Sequence, residues 1–273
     1  MTKLGWLTVL ALASFGVAAE SNVTIGGHIP GTLSIPDRAT GKVPAVLLLH
    51  GFASSKDEVG DMYKNLAAKL AAQGIASLRI DFQGSGASKV PFEQMTFTNQ
   101  VSDAQAAFDY LKGLSGLDAA RLGVVGFNMG GGVAIKLAAN PANSIKSLAL
   151  WSSTSSRSLA SIEADYREQA QKEGKVNIDL GWTKITLGKD FYSSIQNQDL
   201  ESDIGKFGGN TLIVYGTADD LSGNAPYFLY GLKGKVRQLV LIDGADHIYH
   251  VLSDDKSESH QVIDTTADWF KGL

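Results

Sequence analysis

The chain has 273 residues, 44% of them hydrophobic and 19% charged, with a formal net charge of −4 at pH 7. That composition supplies a large core and excludes a disordered polymer. The acidic balance argues against a nucleic-acid partner, and the absence of cysteine removes disulfides, thiolate chemistry and cysteine-held metals.

The first segment, "MTKLGWLTVLALASFGVAAESN", has Lys3, a short apolar run and small residues at Val17, Ala18 and Ala19. This layout predicts a secretory signal over residues 1–19, and hence an exported, periplasmic or secreted protein. The apolar run is shorter than the ~20 residues a membrane span needs. No membrane association is expected once the signal is removed.

After it, "NVTIGGHIPGTLSIP" alternates around glycines and predicts a hairpin. Apolar runs then alternate with helical patterns. Strands are expected at 44–50, 75–80, 121–126, 144–151, 210–216 and 237–243, and helices at 62–74, 98–114, 129–140 and 259–273. Apolar strands in alternation with helices imply a mostly parallel sheet covered on both faces, with ligands beyond the carboxyl ends of the strands. Residues 20–273 are therefore expected to form one α/β domain. The stretch 152–209 breaks the alternation, with no strong strand and an acidic helical run "SIEADYREQAQKEG". A long connection of that kind predicts a lid insertion. Its aromatic residues Trp182, Phe191 and Tyr192 are candidates for lining a substrate pocket or for anchoring the insertion.

Four stretches carry chemistry. "LGVVGFNMGGGVAIKLA" has the form of a strand-to-helix turn that presents a nucleophile, with Gly126, Gly130 and Gly131 around it. Asn128 stands at the nucleophile position. Asparagine tolerates the positive φ required there, but its amide offers no hydroxyl or thiol to activate. In "LLLHGFASS" a strand ends at His50-Gly51-Phe52, so the Phe52 N–H, paired with that of Met129, is placed to serve an oxyanion. In "IVYGTADDLS" Asp219 follows a strand and a glycine, with Asp220 as its competitor. In "LIDGADHIYHVL" His247 follows the last long strand and suits a general base. A His247/His250 metal pair lacks a third ligand at suitable spacing, so no metal and no cofactor is expected.

The order nucleophile position, acid, base is that of α/β-hydrolases. Over nearly all of residues 20–273 the chain resembles the α/β-hydrolase superfamily, and most closely its cinnamoyl and feruloyl esterase group. The resemblance is carried by "DFQGSGAS", "PFEQMTFTNQVSDAQAAFDYLK", "GFNMGG", "LGKDFYSSI", "YGTADDLS" and "GADHIYH". It implies attack on an ester carbonyl, an acyl-enzyme and its release by water. Carried over by position, the nucleophile slot is Asn128, the acid Asp219, the base His247 and the oxyanion hole Phe52 and Met129. It also implies that the insertion binds an aromatic acyl group of a small-molecule ester. Three readings stay open: an esterase of reduced or absent activity, a homologue that binds an aromatic ester or acid without turning it over, and direct activation of water by His247. Ser54 and Ser153 are other hydroxyls, but neither lies on the turn.

Overall fold

The structure, a computed structural model, describes residues 18–37, 41–161 and 164–273. The signal read at residues 1–19 lies outside the described residues, except that Ala18 and Ala19 are included and Ala19 opens the first strand.

Ten strands and nine α-helices are described. In chain order they are β1 (Ala19–Ile25), β2 (Ile29–Ile35), β3 (Val43–Leu49), α1 (Met62–Ala72), β4 (Ala76–Ile80), α2 (Phe97–Gly113), β5 (Leu117–Phe127), α3 (Met129–Ala139) and β6 (Ser147–Trp151). There follow α4 (Ser156–Ser161), α5 (Ala164–Glu173), β7 (Lys175–Asp179), β8 (Lys184–Gly188), α6 (Lys189–Ile195), α7 (Leu200–Ile204), β9 (Asn210–Gly216), α8 (Ala225–Gly231), β10 (Arg237–Ile242) and α9 (Ser257–Phe270). Eight strands form one sheet in the order β1-β2-β4-β3-β5-β6-β9-β10. The β1–β2 hairpin joins the edge antiparallel to β4, and every pairing from β4 to β10 is parallel.

Side-chain alternation along the strands splits the core in two. Leu47, Leu49, Val124, Leu148 and Ile213 face α2 and α3. Val46, Leu48, Val125, Trp151 and Val214 face α1 and α9. The helices supply matching stripes: Ala104, Ala107, Phe108 and Leu111 on α2, and Met62, Leu66 and Leu70 on α1. Thr96 caps α2 by accepting from the Asn99 N–H at 3.0 Å. Among the described residues no helix is long and apolar enough to cross a membrane.

The connection 152–209 differs from its sequence reading. It contains a two-stranded antiparallel sheet, β7 with β8, where no strong strand was expected. Each strand buries only alternate residues, Val176 and Ile178 on one and Ile185 and Leu187 on the other, so the apolar run is too broken to stand out. Much of the connection is part of the main core: Leu159, Phe191, Tyr192, Ile195 and Leu200 are all buried there. Its β7–β8 turn is the part that reaches the strand ends, through Leu180 and Trp182.

Candidate functional site

Four parallel strands deliver the site at their carboxyl ends. β3 leads into Gly51 and Phe52, β5 into Asn128, β9 into Asp219 and β10 into His247. This is the edge where open α/β sheets bind ligands.

The turn between β5 and α3 is built around a strained residue. Asn128 has φ 51° and ψ −118°, outside the ordinary regions for a residue with a side chain. Its N–H donates to the Trp151 carbonyl at 3.0 Å, and its own carbonyl accepts from Gly131 and Thr154 N–H groups at 3.0 and 3.1 Å. The neighbouring backbones pack so closely that side chains are excluded. A Cβ on Gly130 would lie 2.2 Å from the Leu49 carbonyl oxygen, and one on Gly126 would lie 2.3 Å from the Gly130 oxygen. Backbone cannot yield as a flexible side chain can. Gly130→Ala is therefore expected to destabilise the protein by at least about 2 kcal/mol, as overpacking does. Chemical denaturation checks this; an unchanged midpoint would mean that the turn has room for the added methyl group.

The Asn128 side chain sits between two functional groups. Its Nδ2 lies 3.1 Å from His247 Nε2, and its Oδ1 accepts from the Phe52 N–H at 3.4 Å. An amide nitrogen only donates, so Nε2 of His247 is the acceptor. His247 Nδ1 is 3.0 Å from Asp219 Oδ1 and therefore carries the ring proton. The imidazole ring also packs on Phe127, with centroids 5.2 Å apart. Asp219 is buried, and its Oδ1 further accepts from the Leu221 N–H at 2.9 Å. Burial pushes its carboxyl up, but the hydrogen bond and charge of His247, with Ser152 and the Leu221 N–H, bring it below the usual carboxylate range. Asp220 is exposed.

Met129 opens α3, so its N–H is one of the helix's initial donors without an intrahelical partner. The loop bearing Phe52 is held from below. Glu58, buried and with φ 61°, accepts from the Gly51 N–H at 2.7 Å, from the Val59 N–H at 3.0 Å and from the Ser54 hydroxyl. His50 donates from Nδ1 to the Gly51 carbonyl at 2.7 Å and accepts the Phe82 N–H at Nε2. Burial lowers its pKa, which suits the neutral ring that this pairing requires. Sequence reasoning missed Glu58, because a carboxylate in a polar loop gives no signal of burial. The tight contact at Gly51, whose Cβ would lie 2.9 Å from the Phe127 ring, shows how closely this loop and the Asn128 turn pack.

A cavity of about 800 Å³ opens over Asn128 and His247. Phe52, Phe127, Leu180, Trp182, Ile248 and Leu252 give it apolar walls, and Ser54 and Glu58 are polar points on them. That is within the range of small-molecule pockets. Of the three aromatic candidates, Trp182 lines the cavity and is 69% exposed. Phe191 and Tyr192 are buried in the core, with Phe191 packed behind Phe52 at 5.7 Å between ring centroids. Both alternative serines have their hydroxyls engaged by other groups. The Ser54 hydroxyl is engaged by Glu58, and that of Ser153 donates to the Thr154 carbonyl at 3.2 Å. His250 sits away from Asn128, beside Asp246 and Glu258.

Comparison with known proteins bears on the frame. A family model described as serine aminopeptidase, S33, matches residues 42–176. Two uncharacterised proteins of Mycobacterium tuberculosis are each 35% identical over 123 residues, or 45% of this chain. The match spans 39% of the length of these curated relatives. Among solved structures, ferulic-acid-bound Est1E from Butyrivibrio proteoclasticus is similar at a TM-score of 0.74 and 22% identity, over 91% of this chain and 96% of that one. Dienelactone hydrolase from Anabaena variabilis is similar at a TM-score of 0.67 and 18% identity, over 95% and 99%. At such identities the likeness is one of fold.

Proposed function

We propose that the chain, whose fold is that of the α/β-hydrolases, carries the site of a carboxylic-ester hydrolase with the attacking atom replaced. In this reading the chain binds esters or acids of the hydroxycinnamoyl class and does not turn them over through an acyl-enzyme. One observation carries the reading: the Asn128 amide bridges His247 and the Phe52 N–H on a turn of nucleophile geometry.

The chemistry follows from the parts. His247, with its proton held on Nδ1 by Asp219, has a free pair on Nε2 for an adjacent hydroxyl. Asn128 presents an amide there, and an amide nitrogen has no lone pair basic enough to attack an ester carbonyl. The Phe52 N–H, which would hold the carbonyl oxygen of an ester, rests instead on Asn128 Oδ1. An incoming carbonyl must displace that weak contact, at 3.4 Å a small cost. The planar aromatic part then finds the walls formed by Phe52, Phe127 and Trp182. That Est1E, a neighbour of the same fold, was solved with ferulic acid agrees with this choice of ligand.

Titration of the purified chain with a hydroxycinnamic acid and its methyl ester, followed by calorimetry, tests the reading. Trp182→Ala is expected to weaken binding by about 1 kcal/mol, the worth of an aromatic contact, with little change in stability because the ring is exposed. Phe191→Ala, by contrast, empties a buried site and is expected to cost about 3–5 kcal/mol of stability. No measurable binding of either ligand, or a Trp182→Ala variant that binds as the parent does, would contradict the assignment of the cavity.

A further inference from the structure

The amide of Asn128 is itself a carboxylic acid derivative, and it lies in the position of a substrate. Its carbonyl oxygen Oδ1 faces an oxyanion donor, the Phe52 N–H, at 3.4 Å. Its nitrogen Nδ2, the leaving atom in a hydrolysis, lies 3.1 Å from Nε2 of an imidazole oriented by a buried carboxylate. Its carbon Cγ belongs to a residue lining a cavity of about 800 Å³, which admits water. We infer that Asn128 is a self-modification site: the apparatus around it hydrolyses its own side-chain amide and converts it to aspartate. The inference rests on this geometry alone and stands whether or not the ester reading does.

The step balances with water as the co-reactant. A water molecule in the cavity gives a proton to His247 Nε2 as its oxygen forms a bond to Cγ. The π pair of the carbonyl moves onto Oδ1, where the Phe52 N–H receives the charge. The pair returns, the Cγ–Nδ2 bond breaks, and His247 passes its proton to the departing nitrogen. Ammonia leaves, takes up the proton of the new carboxylic acid, and residue 128 is left as a carboxylate. Nothing is oxidised or reduced. Asp219 acts as a positioning residue, since it touches only His247 among these groups.

The same conversion by the ordinary route has a different signature. There the following backbone nitrogen closes a ring on Cγ, and the ring opens to a mixture of aspartate and isoaspartate. The Met129 nitrogen would have to make that attack, but it is fixed at the start of α3.

The experiment is a timed incubation of the freshly purified full chain at neutral pH, followed by peptide mapping that separates asparagine, aspartate and isoaspartate. Asn197, exposed in a loop, is the internal reference. The expected result is conversion at residue 128 at least about 100-fold faster than at Asn197, as a general acid–base group contributes. The product should be aspartate without isoaspartate. In urea, which dismantles the site, the advantage should vanish. His247→Gln should bring the rate at Asn128 down to that of Asn197, and Asp219→Asn should slow it as well, so a single variant that fails to fold leaves the test intact. Asn128 that persists as the amide overturns the inference. So does conversion that yields isoaspartate, or that proceeds unchanged in a folded His247→Gln or Asp219→Asn variant.

Discussion

Asn128→Ser is expected to raise the hydrolysis of aryl esters by at least about 10³-fold, the order that follows from restoring a missing triad member. The backbone already has the required conformation, with φ 51° and ψ −118°, and is braced by hydrogen bonds from Gly131 and Thr154 that involve no side chain of residue 128. The substitution shortens the side chain and withdraws Oδ1 from the Phe52 N–H, which frees that donor for a substrate oxygen. The imidazole keeps its tautomer because Asp219 still holds Nδ1. Rates on a short aryl ester with and without a hydroxycinnamoyl group measure both the gain and the preference. A variant that folds normally and stays inert on both would contradict the proposal that an esterase site is present.

The second large effect is expected in the serine background. Asp219→Asn should lower kcat by about 10⁴, as loss of the correct histidine tautomer does in serine hydrolases. Asparagine at 219 would turn a donor toward Nδ1, drive the ring proton to Nε2 and leave no base for the hydroxyl. The amide has nearly the volume of the carboxylate, but Oδ1 of Asp219 serves both His247 Nδ1 and the Leu221 N–H, so the turned amide also gives up the Leu221 contact and a stability loss of about 1 kcal/mol is expected beside the chemical effect. Parallel denaturation curves for the two variants separate these causes. A drop in kcat of less than about tenfold would place the orienting group elsewhere.

The sheet was legible because parallel strands buried on both faces leave continuous apolar runs, such as "AVLLL" in β3 and "TLIVY" in β9. The β7–β8 hairpin was not, because its strands are short and bury alternate residues beside exposed lysines. β5 also starts earlier than its apolar run: Leu117 pairs with Val43 across a register shift, ahead of the stretch 118–121, none of which is buried. At the site, local geometry was readable where a glycine pattern demands it, as at Gly126 and Gly130, whose Cβ positions are taken by backbone. Long-range arrangement was less readable. The aromatic spacing of Trp182, Phe191 and Tyr192 does not say which ring faces a cavity; packing sends only Trp182 there. Ile248 and Leu252, part of the cavity wall, sit in a loop whose sequence carries no such mark. Glu58 is legible only in three dimensions, where the Gly51 N–H finds it.

The most direct test of the account is covalent labelling of the Asn128→Ser chain with a serine-directed fluorophosphonate, followed by mapping of the labelled peptide. One label is expected on residue 128, lost when His247 is also changed to alanine, and none on the Asn128 chain. A folded Asn128→Ser protein that takes no label, or an Asn128 chain that is labelled at another serine, would contradict it.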